Sequence, residues 1–150
     1  MALTPLTEAR AQILAQVPAA PVAEYQELQS CLGRVLSEDV VATRDVPPFD
    51  NSAMDGYAIY HGDLSGPIPV TQRIPAGSPA GTLEPGGAAR IFTGGVLPAG
   101  ADTVVMQENT LEKAGLVTVT ERPIEGANIR RRGSDIGAGD TVLRAGQLLM

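Results

Sequence analysis

Apolar positions near the start of the chain recur at helical spacing. Leu6, Ala9, Ile13 and Val17 fall three and four residues apart, and Ala11 and Leu14 widen the same face. This pattern predicts one amphipathic helix over residues 4–17. Thr4 stands where a capping side chain belongs, Pro5 at the first helical position, Glu8 near the positive end of the dipole, and Pro18 where the run must stop. Residues 18–21, Pro-Ala-Ala-Pro, read as a rigid spacer, after which Leu28, Leu32, Val35 and Leu36 open the next folded segment.

From Val35 onward the helical period fades. Short runs rich in Val, Ile and Thr are separated by Pro-Ala-Gly, Gly-Gly and Gly-Asp. Strands are predicted at 36–42, 54–60, 69–74, 88–92, 103–107, 116–120 and 141–143. Pro-Ala-Gly recurs at Pro75, Pro79 and Pro98 at irregular spacing, which is repeated turn chemistry and not a repeat protein. The predicted class is α+β, mostly β: an N-terminal amphipathic helix and linker segment, then a small β-barrel or sandwich-like domain with antiparallel pairing.

Composition sets limits on this picture. In 150 residues, 43% hydrophobic and 19% charged positions leave enough apolar material for a real core and exclude disorder, collagen and coiled coil. A net charge of −6 argues against bulk attraction to nucleic acid or to an anionic membrane, so any anion site must be local. A single cysteine, Cys31, forms no internal disulfide and reads as a small buried apolar residue. A single histidine, His61, cannot complete a His-rich zinc site and reads as an exposed loop residue. A metal acting here is expected to be a hard cation held by carboxylates and substrate oxygens, with Mg2+ the default. The chain opens without a secretory pattern and contains no apolar run of the ~18 residues that a membrane helix needs, so a cytoplasmic location is expected. Its apolar last residues, 142–150, suggest the front part of a longer protein.

Three segments could carry chemistry. Residues 45–59 pair two prolines with Asp50, Asn51, Ser52 and Asp55-Gly56, so a carboxylate there would be held rigidly. Asp55 then either coordinates a metal or acts as an acid/base, or else Asp50 and Asp55 only stabilise turns. In Arg90-Ile-Phe-Thr93-Gly94-Gly95, Thr93 ends a strand before two glycines that let backbone N–H groups approach an anion; the alternative is a plain strand-to-turn exit. Residues 128–135 concentrate Arg130, Arg131 and Arg132 in an acidic chain. Their planar forks suit phosphate, a molybdate-like oxyanion or a carboxylate, and the competing reading is ion pairing with Glu121, Glu125 or Asp135. In an extended segment, Arg130 and Arg132 would share a face and Arg131 would take the other.

The run Pro-Pro-Phe-Asp-Asn-Ser-Ala-Met-Asp-Gly-Tyr-Ala, residues 47–58, closely resembles the signature of the molybdopterin molybdenumtransferase family, the MoeA-like proteins that include the gephyrin E domain. Residues 90–94, 98–108 and 128–136 agree with that family in order and spacing, as do the N-terminal segment and Leu32-Gly-Arg-Val-Leu. The resemblance implies molybdate insertion into adenylylated molybdopterin with release of AMP, dependent on Mg2+, in the cytoplasm, by an elongated homodimer. It also implies a contact with the molybdopterin adenylyltransferase. By motif position it implies catalytic roles for Asp55, Thr93 and Asp135, with Asp55 or Asp135 open as metal ligands. Ser52, Arg130, Arg131 and Arg132 are the expected substrate or anion contacts. The implied domains are a helix-and-linker part at 1–45, completed by 136–150, and an inserted β-rich domain at 46–135. The family's molybdopterin-binding and C-terminal domains are absent from these residues, so the chain is expected to hold half of a composite site and not to turn over alone. Two departures stand out: Ser134 where many members have Glu, and Gly95-Val-Leu in place of an Ala-Pro-containing run. The competing function is a non-catalytic β-rich scaffold for dimerisation or partner binding.

Overall fold

The computed structural model describes residues 4–19 and 22–150. The chain divides into two compact units, one formed by the described residues up to Glu38 with Ala145–Met150, the other by Asp39–Arg144. The spacer at 18–21 lies partly outside the described residues.

In the first unit, α1 spans Leu6–Ala15, shorter at both ends than its periodicity predicts. Thr4 does not cap it. Pro5, with extended ψ, takes the N-cap position, and no side chain bonds the first turn. Apolar spacing predicts a buried stripe, yet α1 buries no residue of its own, and Leu6 remains 85% exposed. Residues 33–36 form a short antiparallel ladder with 146–149: Gly33 donates to Leu149, Leu149 to Arg34, Leu36 to Gln147, and Gly146 to Leu36. Cys31 is only partly buried and directs its thiol toward the Glu27 carbonyl at 3.4 Å.

The second unit holds the strands. β1 (Val40–Val41) pairs with β10 (Thr141–Leu143), and β2 (Asn51–Ser52) pairs with β9 (Ile129–Arg130), both antiparallel. The remaining strands are β3 (Gly56–Ile59), β4 (Ile68–Ile74), β5 (Ala88–Ile91), β6 (Thr103–Met106), β7 (Thr110–Lys113) and β8 (Leu116–Val119). They form one curled six-stranded sheet in the order β6-β3-β5-β4-β8-β7. The expectation of purely antiparallel pairing needs one correction, because β4 and β5 run parallel. A 13-residue connection between them, residues 75–87, is long enough to return the chain to the same edge, as parallel neighbours require.

Both faces of the sheet are buried, which explains strands that read as nearly continuous apolar runs. Tyr57, Ile59, Ala88, Val105 and Val117 pack on one face, and Ala58, Ala89, Ile91, Val104 and Leu83 on the other. Adjacent residues alternate between faces because side chains on a strand repeat every second position. Ile59, Ile91, Val104, Val105 and Val117 are fully buried, each contributing on the order of 1.5–3 kcal/mol. Gly56 begins β3 because nothing larger fits: a Cβ there would stand 1.9 Å from the Val105 carbonyl oxygen. That glycine immediately follows Asp55.

Candidate functional site

The 45–56 segment is held by hydrogen bonds along its whole length. On one side Gly133 donates to Pro47, Asp135 to Val46 and Ala53 to Asn128. On the other, Leu97 donates to Asp50, Ser52 to Gly95 and Gly94 to Ser52. A loop tied on both sides has little conformational freedom left to lose when it meets a ligand, which is how preorganised sites are built.

Asp55 ends this segment. Its Oδ1 accepts the Thr93 amide at 2.8 Å and the Thr93 hydroxyl at 2.7 Å, while its own carbonyl accepts the Gln107 amide at 3.0 Å. The Thr93 amide holds the Asp55 carboxyl below the usual aspartate range; the Thr93 hydroxyl adds to this, and the Arg90 charge contributes less. Asp55 is therefore ionised at neutral pH. Both bonds fall on Oδ1, and Oδ2 has no donor among the described residues. Among the described residues no group of three His, Cys, Asp or Glu side chains could hold a metal unaided. One open carboxylate oxygen still suits Mg2+, which takes one or two carboxylates and completes its shell with water and phosphate oxygens.

The turn after β5 does not offer its amides to an outside anion. Thr93 N–H binds Asp55, Gly94 N–H the Ser52 carbonyl and Gly95 N–H the Phe92 carbonyl. The carboxylate of Asp55 thus takes the place that the glycines were read as offering to an external anion. Each glycine has its own reason: Gly94 adopts φ +80°, and a Cβ on Gly95 would come within 2.8 Å of the Ile74 carbonyl oxygen.

The arginines are each committed to a separate carboxylate. Arg130 binds Asp135 Oδ2 at 2.8 Å, Arg131 binds Asp50 Oδ2 at 2.6 Å, and Arg132 pairs with Asp45. The Arg132 amide also donates to Asp50 Oδ1, and Ala138 N–H to Asp45 Oδ1. Backbone donation from Arg132 lowers the Asp50 carboxyl, with Arg131 second; donation from Ala138 lowers Asp45, with Arg132 second. Of the ion-pair partners foreseen, Asp135 is used, while Glu121 and Glu125 form none among the described residues. The partners not foreseen are Asp45 and Asp50, whose Pro-Pro context pointed to local turn bonds instead. The Arg131–Asp50 and Arg132–Asp45 pairs clamp the 128–135 segment onto the 45–50 segment, and Arg130–Asp135 closes within the first.

Ser52 is fully buried, and its hydroxyl donates to the Met54 carbonyl and accepts the Met54 amide at 3.3 Å. This geometry shapes the turn that leads to Asp55. Asp135 accepts Arg130 and the Ser134 hydroxyl. Asp55 and Thr93 therefore meet directly, whereas Asp135 and the three arginines form a second group joined to them through residues 50–55. His61 is not the free loop residue expected: its amide donates to Asp102, and Nε2 lies 3.1 Å from the Pro123 carbonyl oxygen.

Arg90, a residue whose type alone gave no role, donates to the Gly56 carbonyl at 3.0 Å and to Gln107 Oε1 at 2.6 Å. It thereby braces the residue next to Asp55 from below. Its signal was available only as part of the Arg-Ile-Phe-Thr-Gly block.

Residues 4–150 match the family described as the MoeA N-terminal region, domains I and II. Over 148 residues the chain is 43% identical to a molybdopterin molybdenumtransferase of Haemophilus influenzae, covering 96% of this chain and 37% of that protein. A molybdopterin molybdenumtransferase of Nostoc is 42% identical over 130 residues, covering 81% of this chain and 30% of its own length. The crystal structure of a molybdopterin biosynthesis MoeA protein from Pyrococcus horikoshii superposes with a TM-score of 0.88 at 34% identity, covering 99% of this chain and 41% of that one. The chain thus spans well under half the length of these relatives.

Proposed function

We propose, from the premise that this chain belongs to the MoeA N-terminal region family, that it supplies one wall of a composite site at which a longer protein completes molybdenum cofactor. The reaction is transfer of molybdate into adenylylated molybdopterin. Two Mo–S bonds form as one molybdate oxygen leaves with the two dithiolene protons as water, and a water molecule cleaves the phosphoanhydride to release AMP. The observation that carries this reading is the Asp55 carboxylate, ionised, fixed by Thr93 through one oxygen and open at the other.

Each residue takes a role from its geometry. Asp55 Oδ2 is the oxygen that would hold Mg2+, whose chemistry is to neutralise charge on phosphate oxygens. Thr93 orients that carboxylate. Arg131 and Arg132, paired with Asp50 and Asp45, position the Asp55 segment, while Arg130 pairs with Asp135 within its own segment; their exposed guanidinium groups are the expected contacts for an incoming anion. Asp135, half-exposed and held by Arg130, is the second polar group of the wall. The rest of the site belongs to domains beyond this chain and, in a homodimer, to the second subunit. Action in the cytoplasm and delivery of substrate by the molybdopterin adenylyltransferase complete the proposal. Within the described residues no helix is long and apolar enough to cross a membrane.

Calorimetric titration of this chain with adenylylated molybdopterin, with and without Mg2+, tests the reading. Weak Mg2+-dependent binding that Asp55→Asn and Thr93→Ala abolish supports it. Equal binding by the variants contradicts it.

The scaffold reading has one observation in its favour. Leu6, Ile13 and Leu14 of α1 are exposed apolar side chains with no cover among the described residues.

A further inference from the structure

We propose that Arg73, Arg90 and the Phe92 ring form a second anion subsite, a receptor for a tetrahedral dianion of the phosphate or molybdate type. It lies on the sheet face opposite in parity to Ile74 and Ile91; Arg90 is shared with the bracing of the Asp55 segment, whereas Arg73 and Phe92 are not.

Tyr57 pairs with Arg90 across β3–β5, and Arg90 pairs with Arg73 across the parallel β5–β4 pair, so all three side chains share one face in one row. Two like charges placed directly opposite on neighbouring strands repel. The arginines of the 128–135 segment each have a carboxylate; Arg73 and Arg90 have none, among the described residues. The Phe92 ring takes up part of this charge, with the Arg73 guanidinium 4.6 Å and the Arg90 guanidinium 4.8 Å from its centroid. Tyr57 adds a second ring, 5.1 Å from Arg90. Arg90 is anchored through Gly56 and Gln107, but Arg73 donates to no protein acceptor among the described residues. Its planar fork is held in place by stacking and is still available for a bidentate oxyanion.

The surroundings form a receptor for such a ligand. A cleft of about 320 Å3 is lined by Val70, Thr71, Gln72, Arg73, Arg90 and Glu112. Thr71 is the extra residue of a bulge, since Val70 pairs with Ala88 while Gln72 pairs with Ala89. Bulges re-aim side chains and gather next to functional sites. Glu112 is the one carboxylate on the cleft, and it accepts the Tyr57 hydroxyl. Its negative charge opposes an anion, so the two cations outweigh it by a single charge and the site should prefer a compact dianion held by the arginines away from Glu112.

The test is backbone-amide NMR of the chain titrated separately with inorganic phosphate, molybdate and a simple phosphomonoester at fixed ionic strength. Saturable shifts are expected at Arg73, Arg90 and Phe92. Arg73→Gln should weaken binding about tenfold; Arg73→Lys, which keeps the charge and loses the fork, should fall between. Arg10→Gln, the same charge change on α1, should leave binding unaltered. Glu112→Gln should tighten it several-fold, a gain that a loss of folding cannot imitate. Tighter binding of molybdate than of the monoester assigns the site to the free oxyanion, and the reverse order to a phosphoryl group of a larger ligand; both orders support a built subsite. No saturable shift, or equal weakening by Arg73→Gln and Arg10→Gln, overturns the proposal. These outcomes do not depend on Asp55, so failure here leaves the composite-site reading standing.

Discussion

The amide and hydroxyl of Thr93 both donate to one oxygen of Asp55, joining a loop aspartate to a turn 38 residues further along the chain. The same segment is tied to residues 94–97 and 128–135 by backbone hydrogen bonds. Replacing the Thr93 hydroxyl alone must change the carboxylate. Thr93→Val removes one of the two donors and keeps the amide, so the Asp55 pKa should rise toward the ordinary aspartate value without reaching it. Carboxyl-carbon NMR titration of wild type and variant measures this, and an unchanged value would mean that the hydroxyl bond is not made in solution.

Three aspartates, Asp45, Asp50 and Asp55, have carboxyls held below the usual range by backbone donors, with side-chain partners second. Each binds fewer protons in the folded than in the unfolded chain as pH falls through the acid range, so stability rises with pH there. The contribution is fully present above the unfolded aspartate value of about 3.9 and is lost as pH drops through the lower folded values. Urea unfolding at pH 7 and at successive values below 5 should show a steep acid decline. Asp50→Asn should flatten part of it, while lowering stability at neutral pH.

Much of the fold was legible because its core strands carry their burial in their composition. Thr103–Met106 and Leu116–Val119 are mostly β-branched and apolar, Ala88–Ile91 is apolar apart from Arg90, and the predicted runs overlap all three closely. Three strands left no such trace. Thr110–Lys113 is the outer strand of a hairpin, mostly exposed, and its turn uses Ala114 and Gly115, both at positive φ, in place of the usual Asn-Gly. Asn51–Ser52 and Ile129–Arg130 are two-residue pairs, too short to show any period. The site was legible as residue types only. Nothing one-dimensional tells Asp55 that its partner is Thr93, or that Asp50 will meet the amide of Arg132, 82 residues away. The helix misled in the other direction, since its apolar spacing is real but the described residues bury none of it.

Gly56 offers a sharp check of packing next to the site. A Cβ there would overlap the Val105 carbonyl oxygen, a backbone atom that cannot rotate away. Gly56→Ala should therefore destabilise by about 3 kcal/mol or more. Gly66→Ala, where a Cβ meets nothing within 4 Å, should be neutral or slightly stabilising. Chemical unfolding of the two variants side by side decides the matter.

Tyr57 provides a spectroscopic report on the cleft. Burial pushes its phenol above 10.0, and the hydrogen bond to Glu112 raises it further. Its stabilising contribution is complete below the unfolded value of about 10 and disappears as pH rises through the higher folded one. Absorbance titration at alkaline pH, taken as the difference between wild type and Tyr57→Phe, should place this phenol above the free value. Glu112→Gln should lower it only in part, because burial is the larger cause.

Whether Asp55 acts on the ligand through its open oxygen is decided by molybdenum insertion from adenylylated molybdopterin and molybdate, measured with a full-length protein carrying this region and the Asp55→Asn substitution. The amide keeps the size of the side chain and can still accept from Thr93, so the fold should survive, as circular dichroism and thermal unfolding can verify. Near-complete loss of insertion and of its Mg2+ dependence is expected. Insertion at the wild-type rate by the correctly folded variant would contradict that role for Asp55.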